Sequence, residues 1–270
     1  MRCVSLFRLV VASFFLAATA PVLAAPCPGY GSFDNWLDGI KRKALAAGVS
    51  QRAIDAGLTD VYFDPTIVSH DHGQGVFRQS FEQFAGRMVS SYRLSKGKML
   101  LLRNASLFQR IEDRFGAPGP VLVAIWGLET DFGAVNGNFP TIRAVASLAY
   151  DCRRSEMFTD ELIDALKIVD RGYMSPAEMR GAWAGEIGQT QFMPSSYIKF
   201  AVDFGGGRDL IHSVPDVLAS TANFLQSYGW RRGQPWDEGT PNFGVIQAWN
   251  KSSVYSKTIA FFANKLAAGQ

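Results

Sequence analysis

Histidine and cysteine are scarce in this chain, three of each in 270 residues. His70 and His72 flank Asp71, but no third His or Cys falls at ligand spacing and His212 lies outside any motif, so no metal centre is expected. The His70-Asp71-His72 triplet reads instead as a solvated loop. Charge is also sparse and balanced, 27 Lys+Arg against 24 Asp+Glu, and neither sign gathers into blocks or stripes. A nucleic-acid surface is excluded on that ground. Internal repeats and low-complexity tracts are absent, and no apolar run is long enough for a permanent membrane span. What is present is core material: 47% of the residues are hydrophobic, and six Trp and 20 Phe supply either an aromatic-rich core or stacking surfaces for a ligand.

The first residues read as an export leader. Arg2 and Arg8 flank the run from Leu9 to Ala18, and small residues lead to Val22-Leu23-Ala24. Cleavage is expected after Ala24. Pro26 stands before Cys27, which argues against a lipid on that cysteine, so no stable membrane anchor is expected. Cys27 and Cys152 then remain in an oxidising compartment where two thiols can pair. The reading favours Cys152 as a small buried hydrophobe and Cys27 as part of a loose terminus.

The rest of the chain reads as mainly α. From Phe33 to about Arg114 apolar residues recur at helical spacing, as in Trp36, Leu37, Ile40, Ala44 and Leu45, or Phe77, Phe81, Phe84 and Met88. Gly48, Gly57, Asp64-Pro65 and Gly73 interrupt the pattern. After the breaker cluster Gly116 to Pro120, Val121 to Leu128 is apolar on every side, as in a helix at the centre of a domain. Further helices are predicted over Thr141 to Tyr150, Thr159 to Val169, Ser175 to Trp183, Pro215 to Tyr228 and Ser256 to Ala267. Another starts near Tyr197, with Ser195 or Ser196 as its cap.

Two segments carry chemistry. The buried run ends in Glu129-Thr130-Asp131-Phe132-Gly133, which places Glu129 where desolvation raises a carboxyl pKa, as a general acid needs. The bland reading is a Glu that pairs with an Arg or caps a loop. The second segment, Gly185-Glu186-Ile187-Gly188-Gln189-Thr190-Gln191-Phe192-Met193-Pro194-Ser195-Ser196, packs glycines, amides and an aromatic into one turn-like stretch suited to close approach of a ligand.

Together these segments resemble the B-type lytic murein transglycosylases of bacterial cell walls. The likeness extends to Trp36 through Gly57, Tyr150 through Arg154, Ala219 through Trp230, Pro241-Asn242-Phe243, Trp249-Asn250-Lys251-Ser252 and Tyr255. It implies a lysozyme-like helical domain with an N-terminal helical extension, divided as leader 1–24, helical region 25–115, catalytic core 116–236 and a segment 237–270 completing the groove. It implies a periplasmic enzyme of a Gram-negative bacterium, a monomer without cofactor, whose partner is the glycan strand of peptidoglycan. The MurNAc–GlcNAc bond is cut without water and leaves a 1,6-anhydro end.

The catalytic residue so implied is Glu129, acid first and base second. Gln191 and Phe192 match substrate-contact positions, and Gln191 has a bland alternative as an amide tying two loops. Trp249, Asn250 and Tyr255 match a family Tyr-Asn-x-Ser-x-x-Tyr segment lining the groove; Trp at 249 keeps a stacking face and gives up the hydroxyl. Arg153 and Arg154 match an Arg pair able to meet the carboxylates of the peptide stem, and Ala182 stands where relatives often have Ser.

A two-carboxylate glycosidase needs a partner at ~5–5.5 Å or ~6.5–9.5 Å. Asp131, Asp151 and Glu186 are the candidates. Asp131 is expected to turn away from Glu129, and Glu186, where relatives often carry Ala, is expected to be a loop or surface carboxylate. Asp203, Asp209 and Asp216 fall where some relatives carry a calcium loop, but Gly205-Gly206-Gly207-Arg208 replaces the acidic alternation, so no calcium is expected. The rival readings are a muramidase that uses water and a non-catalytic glycan binder, the second disfavoured by the retained Glu129.

Overall fold

Helix caps written into the sequence define most of the architecture. In the computed structural model, which describes residues 29–73 and 79–268, Ser32 caps α1 (Phe33–Ala46) and Ser50 caps α2 (Gln51–Leu58). Asp64 with Pro65 opens α3 (Pro65–His72), and a full capping box of Ser80 and Gln83 opens α4 (Phe81–Met88). Ser90 caps α5 (Ser91–Arg103), and α6 (Ala105–Phe115) stops at Gly116, whose φ of 80° favours a residue without a side chain. There follow α7 (Gly119–Thr130), the short strand β1 (Phe139–Pro140), α8 (Thr141–Tyr150), α9 (Ser155–Asp170), the strand β2 (Arg180–Gly181) and α10 (Pro194–Phe200). The last three helices are α11 (Val214–Ser227), α12 (Pro241–Trp249) and α13 (Ser253–Ala267), capped by Ser213, Thr240 and Ser252. The leader with its cut after Ala24, Cys27 and Phe77 lie outside the described residues.

Helix α7 is the axis of the fold. All of its residues are buried except Glu129. It is wrapped by α5, α6, α11 and α13. Gly127 allows the closest approach: a Cβ there would lie 2.7 Å from the Phe132 ring and 3.1 Å from Phe262 of α13. A second layer forms where α8 and α9 pack together, with α1, α2 and α10 against α9. An aromatic cluster of Tyr30, Phe33, Trp36 and Phe63 around Tyr150 ties α1 to it, and the Tyr150 hydroxyl donates to Gly31 O at 2.7 Å. No helix of the described residues is long and apolar enough to cross a membrane.

Several expectations need correction. Ser175 to Trp183 is not a helix. It makes a single turn and then joins the two-stranded antiparallel sheet, with Gly181 opposite Phe139 and Arg180 opposite Pro140. The strand pairing overrides local propensity there, and a Cβ on Gly181 would overlap the Glu186 carbonyl oxygen. Neither Ser195 nor Ser196 caps α10. The Ser195 N–H and hydroxyl both donate to the Glu161 carboxylate of α9, at 2.8 and 2.7 Å, and the helix starts at Pro194. Cys152 is exposed and disulfide-bonded, not a small buried hydrophobe.

The His70-Asp71-His72 triplet is the last turn of α3, not a solvated loop. His70 stacks on Trp183 with ring centroids 5.9 Å apart, and His72 Nε2 lies 3.1 Å from Asp151 Oδ2. Asp71 is buried and paired with Arg153, whose Nε is 2.7 Å away, and with Arg154. Asp71, His72 and Asp151 bring ligand-type atoms within 4.8 Å of one another, but two guanidinium groups already occupy the Asp71 carboxylate, which leaves an ion-pair network unsuited to a cation.

Candidate active site

The site is built where α7 ends. Asp131 and Phe132 both take left-handed backbone angles, φ 53° and 61°, which stops the helix one residue after Thr130 and leaves Glu129 in its last turn. The Asp131 carboxylate points to Arg93 Nε at 3.3 Å, away from Glu129. A buried amide locks this end to the second motif. Gln189 accepts from Trp126 Nε1 at 2.9 Å, donates to Ile211 O at 2.8 Å, and takes the Thr130 hydroxyl on its own backbone carbonyl. A Cβ on Gly133 would overlap the Gln189 side chain, so the glycine of the first motif and the first glutamine of the second fit only together. Gln189 is thus a buried structural amide, a role the sequence did not single out for it.

Beyond Gln189 the chain doubles back. Ile187 and Phe192 exchange both backbone hydrogen bonds, and Gln191 sits at the turn with φ 57°. The Gln191 amide donates to Gly188 O at 2.6 Å and to Asn136 O at 3.2 Å. Both N–H groups are thus committed, and the group left for a ligand is the carbonyl oxygen.

A cavity of about 240 Å³ opens over these elements, lined by Glu129, Glu186, Thr190, Gln191, Phe192, Met193, Ser196, Phe224, Trp249 and Asn250. The indole N–H of Trp249 donates to Glu129 Oε1 at 2.9 Å, so the residue that lost the hydroxyl still supplies a donor. The Tyr255 hydroxyl is also hydrogen-bonded to the Glu129 carboxyl. Trp249 is held between Phe192 and Phe224, with centroids 5.5 and 4.9 Å from its own. Asn250 uses its Oδ1 on the Ser252 N–H, which leaves its amide N–H2 for the cavity.

Burial dominates the electrostatics. Desolvation pushes the Glu129 carboxyl up from 4.5 to about 7, against the Trp249 and Tyr255 hydrogen bonds, and the Glu186 charge pushes the same way as burial. Burial and the neighbouring Glu129 hold the Tyr255 phenol well above its ordinary range, so it remains a donor. Glu186 lies in a loop, as expected, but is not a surface carboxylate. It lines the same cavity, burial raises its pKa, and its Oε2 is buried without a partner.

Glu129, Gln191, Phe192, Trp249 and Asn250 are thus brought together, with Tyr255 in contact with the acid. Arg153 and Arg154 are not at this cavity; both are engaged by Asp71, and Arg154 reaches Glu186 through its charge alone. The carboxylates at 203, 209 and 216 are turned onto backbone amides: Asp216 accepts from Phe204, Gly206 and Asp209, Asp203 from Gly205 and Gly207, and Asp209 from Ile211 and His212.

A lysozyme-like helical fold with one desolvated carboxyl at the end of its central helix defines the class. Residues 32–240 match the transglycosylase SLT domain, and the chain belongs to that family. Over 121 residues it is 37% identical to membrane-bound lytic murein transglycosylase B of Escherichia coli K12, a match spanning 44% of this chain and 34% of that protein. The structure of SltB3 from Pseudomonas aeruginosa in complex with NAG-anhNAM-pentapeptide superposes with a TM-score of 0.82 at 30% identity, covering 88% of this chain and 80% of that one. Soluble lytic transglycosylase SltB1 of the same organism shares the fold, with a TM-score of 0.80 at 22% identity over 87% of this chain and 99% of that one.

Proposed function

We propose that this chain is a periplasmic lytic transglycosylase that cuts the MurNAc–GlcNAc bond of peptidoglycan glycan strands and leaves a 1,6-anhydromuramic end. The observation that carries the reading is the state of Glu129: a carboxyl raised to about 7, facing a cavity and held by two fixed donors. Such a group is shared between its protonated and ionised forms near neutral pH, so it can both give and take a proton there.

In the first half of the reaction Glu129 gives its proton to the bridging oxygen as the glycosidic bond breaks. The carboxylate so formed is stabilised by the Trp249 N–H and the Tyr255 O–H, neither of which competes for the proton. In the second half that carboxylate takes the proton of the muramic C6 hydroxyl as its oxygen closes on C1. Glu129 ends as it began, and no water is consumed. The Gln191 oxygen and the Asn250 amide orient the sugar, and Phe192 backs the Trp249 ring. Arg153 and Arg154, still part exposed while they hold Asp71, are the proposed contacts for stem-peptide carboxylates. SltB3 was crystallised with an anhydro-sugar peptide, which supports the same product here.

The second carboxyl in the cavity, Glu186, favours one alternative, a muramidase that uses it to activate water. Digestion of purified sacculi separates the two by mass, because an anhydro end is lighter by one water than a reducing end.

A further inference from the structure

We infer that Glu186 is a sugar-contacting residue of this groove, its carboxyl receiving an O–H or N–H donor of the glycan unit seated beside Glu129. The inference rests on the glycan-cleaving reading above and adds a residue to it.

The position of Glu186 is fixed on both sides. Its carbonyl lies against Gly181 of β2, where no side chain fits, and the next residue is pinned by the Ile187–Phe192 pairing. Its carboxyl lines the cavity, close to the backbone N–H groups of Glu186 and Ala184, and its Oε2 is buried with nothing bonded to it. A buried carboxylate oxygen without a donor is costly, and a ligand that brings one offsets the cost.

Most of the surrounding protein donors are committed elsewhere. The Gln191 N–H groups are on Gly188 and Asn136, the Trp249 and Tyr255 donors are on Glu129, Arg154 has its Nη2 on Asp71 while its buried Nε–H makes no hydrogen bond, and residue 182 is an alanine with no hydroxyl to offer. The cavity presents the Gln191 oxygen and Glu186 as acceptors, beside the Asn250 amide, the Ser196 hydroxyl and the Trp249 ring. That combination suits a neutral sugar rich in hydroxyl and acetamido donors.

Charge gives the contact a second consequence. Glu186, Trp249 and Tyr255, with Arg93 behind Tyr255, act on Glu129, and Arg154 acts on Glu186. When ionised, Glu186 disfavours ionisation of Glu129 and so helps hold the proton that the reaction needs, while burial of Glu186 works against its own ionisation.

The test compares wild type with Glu186→Ala and Glu186→Gln on soluble glycan strands prepared from sacculi, with KM, kcat, melting temperature and product mass measured from pH 5 to 9. Loss of a hydrogen bond to a charged acceptor predicts a KM raised roughly tenfold or more in Glu186→Ala. Glu186→Gln keeps an acceptor oxygen and should fall between Ala and wild type. In both variants the alkaline fall of kcat/KM should move to lower pH, which a merely structural role would not produce. The inference is overturned if a folded Glu186→Ala keeps wild-type KM and pH profile, or if Gln is as damaging to KM as Ala. Should the Ala variant not fold, an unmoved pH profile in Gln overturns it alone. A wild-type digest without anhydro products would instead sink the underlying function, whatever the 186 variants do.

Discussion

Replacing Glu129 by Gln should stabilise the protein in alkaline solution even as it removes activity. In the unfolded chain the carboxyl titrates at its ordinary 4.5, whereas burial places it at about 7 in the fold. Between these values the folded protein keeps a proton that the unfolded chain has released. Wild-type stability therefore declines as pH rises through this window and stays lowered above 7, where both states are ionised. The full difference corresponds to about 3 kcal/mol, an upper value because Glu129 is partly open to the cavity. Gln does not titrate, and its oxygen can still accept from Trp249 and Tyr255. Urea unfolding of both proteins at pH 5, 6, 7 and 8 should show the variant gaining on wild type by up to about 3 kcal/mol across the series. Glu161, whose pKa is also raised by burial, is common to both proteins and cancels. Two stability curves that run parallel from pH 5 to 8 would refute the claim that Glu129 is desolvated.

Other substitutions separate positioning from packing. Gln191→Ala should lower turnover more than melting temperature, since the side chain lines the cavity and its amide ties Gly188 to Asn136 from a half-buried position. Gln189→Leu should do the reverse: stranding the Trp126 N–H and the Ile211 carbonyl costs about 2–4 kcal/mol, read from the urea midpoint. Trp249→Phe removes a donor from the Glu129 carboxylate, so the alkaline fall of kcat/KM should move to higher pH; an unmoved profile would show that the indole bond does not matter. Asp71→Asn weakens the contact with Arg153 and Arg154 and should destabilise by roughly 1–3 kcal/mol in a urea titration.

What the sequence made legible followed from local physics. The unbroken apolar run from Val121 marks the central helix because only a helix surrounded by others can be apolar on every side. The interruption of that run at Glu129 marks the one residue of α7 that is not buried. The predicted helix over Thr141 to Tyr150 coincides with α8, and those near the C-terminus differ from α11 and α13 by a few residues at their ends. Helix α12 was overlooked, although Thr240-Pro241 carries the cap and first-turn signal for it.

What stayed hidden depended on partners distant in sequence. The segment from Ser175 reads as helical until β1 claims Arg180 and Gly181. Asp71 looks solvated until two arginines from residues 153 and 154 arrive, and Glu186 looks like a surface carboxylate until the α12 end closes the cavity over it. In Gly-Gln-Thr-Gln nothing local says which glutamine is buried. Trp126 and Ile211 decide that for Gln189, leaving Gln191 to the cavity.

The most direct test of the central claim is the mass of the products released from purified sacculi by the wild-type protein and by Glu129→Gln. A group that serves as both acid and base should cost at least the ~10²–10⁴-fold of general acid–base catalysis when it is removed. The account predicts muropeptides ending in 1,6-anhydromuramic acid from wild type, and almost none from a folded Glu129→Gln. Reducing-end products from wild type, or a Gln variant that keeps a substantial share of the wild-type rate, would contradict it.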